Sequence, residues 1–135
     1  MDRELYFIAD RGCYVVRWMA DVSDGSATRH WQELIGNARF RPGLAALHDV
    51  RGHAIELGRQ SLRDEAEAYR AEVEPRVGFG RVAILVDDPE MHRRAERLVR
   101  MLELHGARVT FSETEAKEWV GLPPDQPLPY ASPPG

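Results

Sequence analysis

The chain has 135 residues, of which 43% are apolar, and carries a formal net charge of −4 with a single cysteine, Cys13. This length is close to the commonest size of one domain, which can build a core without metals, while one cysteine excludes an intramolecular disulfide. The negative net charge argues against generic nucleic-acid binding. The sequence shows no signal-like segment and no apolar segment long enough to cross a membrane, so we expect a cytoplasmic protein with no membrane span.

Two apolar segments near the start of the chain predict an antiparallel hairpin. They cover Glu4 to Ala9 and Gly12 to Ala20, with turn residues from Asp10 to Gly12 between them. The second segment is almost wholly apolar, as is typical of a strand covered on both faces. A helix is predicted next, from about Thr28 to Arg39. Its apolar stripe consists of Trp31, Leu34, Ile35 and Ala38.

A sharp turn then leads into the third predicted strand. Pro42 does not continue a helix and Gly43 permits positive φ, so the pair redirects the chain into Leu44 to Val50. This strand finishes in the acid and base Asp49 and Arg51. Because ligand sites in α/β proteins lie at the carboxyl ends of parallel strands, this end is the first place to expect one.

The second half of the chain alternates helix and strand. A helix is predicted from about Leu62 to Glu74, a buried central parallel strand at Arg81 to Asp87, and a helix beginning near Pro89. A last strand, Ala107 to Phe111, and a short helix, Glu113 to Val120, follow. The pattern predicts one α/β domain, residues 1 to 121, in which a mostly parallel open sheet has an antiparallel first hairpin and helices on its faces.

The carboxyl-terminal segment, residues 122 to 135, is rich in proline. Six of its fourteen residues are Pro, which prevents regular secondary structure. We predict a flexible tail that buries little and whose removal leaves the fold intact.

The order of elements, the turn Phe40-Arg41-Pro42-Gly43-Leu44 and the strand that ends near Asp49-Val50-Arg51 resemble the STAS/SpoIIAA-like superfamily of small bacterial domains. The resemblance implies a SpoIIAA-like fold and a non-enzymatic regulatory domain that acts through protein contacts. Related lineages also imply a small-molecule or lipid-like ligand as the alternative. In the anti-sigma-factor antagonists of the superfamily a phosphorylatable Ser follows the third strand. Here the segment Asp49 to His53 has no Ser, and the nearest hydroxyl is Ser61.

We predict a binding site for a partner or ligand around Asp49, Arg51, His53 and the loop up to Ser61. The alternatives are purely structural roles: Asp49 and Arg51 would form an ion pair, and Ser61 would cap a helix. Neighbouring His48 gives only a weak metal signal, so no metal or other cofactor is expected.

Three further features bear on function. Asp87 and Asp88 are interpreted as acids that complement the amino terminus of a helix. Arg93, Arg97 and Arg100 recur at helical spacing, and interleaved glutamates favour a solvated face over a docking surface. No nucleophile lies in a catalytic elbow, which favours a binding protein over an enzyme. A protein partner, a small apolar ligand and a homodimer all stay open.

Overall fold

The computed structural model describes residues 2–77 and 80–131, which include a five-stranded sheet in the order β1-β2-β3-β4-β5. The strands are β1 (Arg3–Ile8), β2 (Cys13–Trp18), β3 (Ala45–Asp49), β4 (Val82–Leu85) and β5 (Ala107–Thr110). The β1-β2 pair is antiparallel and the other neighbours are parallel, which confirms the predicted mixed α/β sheet. β4 is an interior strand as predicted, although the middle strand of the five is β3.

The helices are α1 (Ser26–Ile35), α2 (Arg59–Ala68), which continues through a π-helical turn at Tyr69–Val73 into α3 (Glu74–Val77), then α4 (Pro89–Leu102) and α5 (Glu113–Val120). The bounds of α5 agree with the prediction. Asp88 caps α4 by accepting hydrogen bonds from the backbone N–H groups of Glu90 and Met91, as its interpretation as a helix-terminal acid requires. None of the described helices has the length and apolarity needed to cross a membrane.

The start of α2 differs from the prediction. The helix begins at Arg59, with Gly58 at the N-cap position and no side chain capping it. Ser61 therefore lies within the first turn of the helix, and its interpretation as a cap is wrong. A serine side chain caps a helix only from the flanking residue with extended backbone, which here is Gly58.

The two faces of the sheet are covered by different parts of the chain. The steps from β2 to β5 all run in one direction across the sheet, so right-handed crossovers place α1, α2 and α4 on one face. Alternate strand residues point to that first face, including Tyr14, Val16, Trp18, Ala46 and Ile84. The second face carries Cys13, Val15, Leu47, Ala83 and Leu85, which pack under α5.

The segment after α5 completes the cover of the second face. Residues 122–131 contain no helix or strand, as predicted, but Leu122 and Leu128 are only 3% and 2% exposed and join the second-face core. The Tyr130 ring lies 5.6 Å from the ring of Tyr6 on β1. The prediction that this end buries little is wrong for residues 122–131, because proline prevents regular hydrogen bonding and not side-chain burial. Residues 132–135 lie outside the described part of the chain.

Removal of residues 122–135 should therefore destabilise the protein. Burial of one leucine side chain is worth about 1.5–3 kcal/mol, so loss of Leu122 and Leu128 together should lower the free energy of unfolding by about 3 kcal/mol or more. Urea denaturation of a chain that ends at Gly121 measures this. Pro127→Ser, at an exposed position of the same segment, is the control. An unchanged midpoint in the truncated chain would contradict the burial of these two leucines against the sheet.

Candidate functional site

Asp49 and Arg51, the central residues of the predicted site, form a tight ion pair at the carboxyl end of β3. The Arg51 guanidinium donates to both carboxylate oxygens of Asp49, with both distances 2.9 Å, and the Tyr130 hydroxyl donates to Oδ2 at 2.6 Å. Burial alone would raise the pKa of Asp49, but hydrogen bonds from Arg51 and Tyr130 outweigh it and hold the pKa below its usual value. The carboxylate is thus fully engaged inside the protein.

The ion pair extends to α5. Arg51 Nη2 lies 3.1 Å from Glu113 Oε1, and Lys117 Nζ lies 2.8 Å from Glu113 Oε2. The hydrogen bond from Lys117 is the main reason that the pKa of Glu113 is lowered, with the charge of Arg51 adding to it. Two acids and two bases neutralise one another here, so this cluster joins β3, α5 and the carboxyl-terminal segment and leaves little unpaired charge for a ligand.

A cleft of about 380 Å³ opens beside this cluster. His53 lies in its wall, with Nδ1 3.7 Å from Asp21 Oδ1, together with Asp49 and Arg51. We call this cleft, together with the exposed Phe111 side chain that follows β5 at the same edge of the sheet, the strand-end face. Ser61 is not among the residues that line it and belongs to α2. The structure therefore brings three of the four predicted site residues together and places the fourth elsewhere.

His48 does not join Asp49 in a metal site. The two are successive residues of β3, so their side chains point to opposite faces of the sheet. Within the described ranges, no group of three or more His, Cys, Asp and Glu side chains is arranged to hold a metal ion.

A second site, which the sequence did not predict, lies between the first face of the sheet and the helices. It is a cavity of about 90 Å³, here called the apolar chamber. The residues that line it are mostly aromatic or aliphatic: Tyr14, Trp18, Val22, Ala27, His30, Trp31, His48, Val50, Tyr69, Val82, Ile84, Leu98, Leu102 and Leu104. The imidazoles of His30 and His48 are polar groups within this otherwise largely apolar lining.

The two imidazoles of the apolar chamber are adjacent. Their ring centroids are 5.1 Å apart in an edge-on arrangement. His48 Nδ1 accepts a hydrogen bond from the Trp18 indole N–H at 3.2 Å. His30, on α1, is only 3% exposed, and its Nε2 has no hydrogen-bond partner among the described residues. A buried polar atom left without a partner costs about 1–3 kcal/mol, so a group that enters the chamber and satisfies it gains that energy.

Both imidazoles are neutral at physiological pH. Burial, assisted by the positive charge of Arg3, lowers the pKa of His48 to about 4. Burial also lowers the pKa of His30 well below its ordinary value, with His48 and Arg3 adding to the effect. The chamber therefore presents neutral hydrogen-bonding groups within an apolar wall.

One sequence signal would have located the chamber. His30 lies four residues before Leu34, on the stripe that faces the sheet, and His48 lies between Ala46 and Val50, which are both buried in the first-face core. A histidine within an apolar stripe on each of two adjacent elements indicates a pair of buried imidazoles. That they meet depends on the crossover of α1 over the sheet, which no local pattern specifies.

No protein-family model matches the sequence, and neither a curated protein nor a solved structure matches it.

The buried imidazoles predict a loss of stability in mild acid. An unfolded imidazole gains its proton near pH 6.5, whereas folded His48 resists protonation until about pH 4. The unfolded state therefore binds more protons in this window, so this contribution to stability is complete above pH 6.5 and is lost as the pH falls towards 4. We expect a decrease of about 3 kcal/mol in the free energy of unfolding, measured by urea denaturation at each pH.

The matched variants for that measurement are His48→Gln and His105→Gln. Glutamine at position 48 keeps an acceptor for the Trp18 indole and does not titrate, so the slope between pH 6.5 and 4 should flatten. His105 is exposed and does not itself line the chamber, and its variant should retain the wild-type slope. Equal slopes in all three proteins would show that His48 does not carry the effect.

Proposed function

We propose that this protein is a non-enzymatic binding module of the STAS/SpoIIAA-like type that holds a small, uncharged, largely apolar ligand in the apolar chamber. The single observation that carries the proposal is the buried His30 Nε2, which lacks a hydrogen-bond partner among the described residues and belongs to a residue that lines a cavity. Buried polar atoms in folded proteins are nearly always hydrogen-bonded, to the protein, to water or to a ligand.

The chemistry of the chamber selects the ligand class. A charged group would lose its hydration in an apolar enclosure without an opposite charge to compensate, because both imidazoles are neutral there. His48 accepts at Nδ1, so its neutral form carries the proton on Nε2 and acts as a donor. His30 Nε2 either donates or accepts, according to tautomer. An alcohol or a carbonyl compound with an apolar body meets these requirements.

The volume sets an upper limit on ligand size. An apolar cavity of about 150 Å³ holds benzene, so a chamber of about 90 Å³ takes a ligand of only a few carbon atoms unless its walls move. Tyr69, in the wall, begins the π-helical turn of the second helix and packs against Trp31 with ring centroids 4.6 Å apart. π-helical turns often occur at functional sites, which supports an assignment on this side of the sheet.

The test compares neutral straight-chain alcohols, from ethanol to butanol, with carboxylates of the same lengths. The alcohols should raise the melting midpoint by mass action and change the fluorescence of Trp18 and Trp31, whereas the carboxylates should do neither. Ala27→Leu places a larger side chain at the chamber wall and should weaken alcohol binding about 10-fold, equivalent to about 1.4 kcal/mol. Ala9→Leu, at an exposed turn, is the matched control. Equal alcohol effects in the two variants would contradict the proposal.

A second candidate function is regulation through protein contact at the strand-end face. Met19 and Phe111 are 43% and 54% exposed, and each directly follows a strand, β2 and β5 respectively. Parallel strands place both residues at the same edge of the sheet as Arg51 and His53. Large exposed apolar side chains beside polar ones are characteristic of protein interaction surfaces.

A second copy of the chain is the first partner to test at the strand-end face. If the face mediates association, sedimentation velocity should show a concentration-dependent dimer, and Met19→Asp combined with Phe111→Asp should weaken it by about 10-fold or more. The control, Ala9→Asp combined with Asn37→Asp, adds the same charge at exposed positions outside this face. A dimer that persists in the first variant, or a monomer at all concentrations, argues against self-association through this face.

A further inference from the structure

A cleft of about 780 Å³ lies between α4 and the start of α2. We call it the basic cleft. The residues that line it are Ile55, Glu56, Leu57, Gly58, Leu62, Glu90, Arg93, Arg94, Arg97, Leu98 and Arg100. Four arginines and two glutamates give it a formal charge of about +2, in a chain whose net charge is −4.

Two arginines of the cleft have no carboxylate partner among the side chains that the structure describes. Glu90 is shared by Arg93, which forms an ion pair with it, and by Arg94 at 3.2 Å. Among the side chains that the structure describes, none forms an ion pair or hydrogen bond with the guanidinium of Arg97 or Arg100. The intrahelical pairs expected from the sequence thus account for the first turn of α4 and leave the later arginines free to bind an external anion.

The spacing of the arginines defines a linear target. Arg93, Arg97 and Arg100 lie at i, i+4 and i+7 on α4, which corresponds to one face of the helix over about 10 Å of rise. The floor beside them is apolar, formed by Leu57, Leu62 and Leu98, and Leu62 is 3% exposed. A row of cations along an apolar floor complements an acidic helix with one apolar face.

The amino end of α2 borders the basic cleft. Gly58 caps the helix without a side-chain hydrogen bond, and no acid occupies the first turn. The Asp24 carboxylate accepts a hydrogen bond from the Gly58 N–H at 3.2 Å, so the partial positive charge at this helix end is already offset within the chain. The lining residues include no aromatic side chain, so stacking of nucleobases, the usual means of holding single-stranded nucleic acid, is lacking there.

We infer that the basic cleft is a docking site for an acidic, amphipathic helical segment of a partner protein, with carboxylates that pair with Arg97 and Arg100 and an apolar side chain over Leu98. The cleft shares Leu98 with the lining of the apolar chamber, but its arginines do not line the chamber, and the inference does not depend on the ligand proposed there. Charge complementarity of this kind contributes chiefly to specificity and association rate, and it weakens as salt increases.

The experiment uses the full chain and two fluorescent peptides of about 15 residues with the same composition. In the first, Glu recurs at i, i+4 and i+7 beside a leucine stripe, and in the second the Glu residues are distributed around the helix. We expect the first peptide to bind more tightly by about 10-fold in fluorescence anisotropy, with affinity that falls as salt rises. Arg97→Glu combined with Arg100→Glu should weaken that binding by at least about 10-fold.

The matched control is Arg11→Glu combined with Arg39→Glu. Both positions are exposed, and the double variant carries the same change in net charge, so its affinity for the first peptide should stay within about 2-fold of wild type. Equal losses in the two double variants would overturn the inference, since binding would then follow net charge alone. Equal affinity for the two peptides, or no binding of either, would also overturn it. Binding of anionic phosphatidylglycerol vesicles without binding of the first peptide would assign the cleft to a membrane surface instead.

Discussion

Every parallel crossover in this fold steps in the same direction across the sheet, and the rest of the architecture depends on that constraint. Right-handed connections then place α1, α2 and α4 on one face, so the opposite face of the five strands is left for the part of the chain after β5 to cover. That cover consists of α5 and residues 122–131. The proline-rich segment is thus part of the layer that covers this face. The Asp49 carboxylate, which is paired with Arg51, also accepts a hydrogen bond from Tyr130 and so attaches this segment to the end of β3.

The same constraint separates two chemical environments. The crossover face is covered by α1, α2 and α4, and under these helices loss of solvation keeps the imidazoles of His30 and His48 neutral. On the solvent side of these helices, α4 exposes arginines and contains more arginines than glutamates. Loss of solvation keeps the imidazoles of the apolar chamber uncharged, whereas the arginines of the basic cleft stay charged in contact with solvent. The same helices therefore border both a neutral chamber and a charged cleft.

Much of the fold was predictable because it is encoded locally. The run Val82 to Val86 identified an interior strand, and the periodicity from Glu113 to Val120 gave the bounds of α5. The errors have physical causes. Ser61 matched a capping pattern, but Gly58 has the extended backbone that the N-cap position requires. The proline-rich composition from Leu122 onward correctly predicted a backbone without helix or strand. It wrongly predicted that the segment buries little, because a leucine between prolines is as apolar as any other leucine.

The candidate site was predicted only in part. Asp49, Arg51 and His53 meet because they are close in sequence and follow one strand, whereas His30 and His48 meet only through the crossover of α1. The basic cleft depends in the same way on α2 lying against α4. Leu98 lines both this cleft and the apolar chamber, so a change in its packing affects both sites. Ala27 lines only the chamber and Arg100 only the cleft, and for that reason substitutions at these two positions separate ligand binding from partner docking.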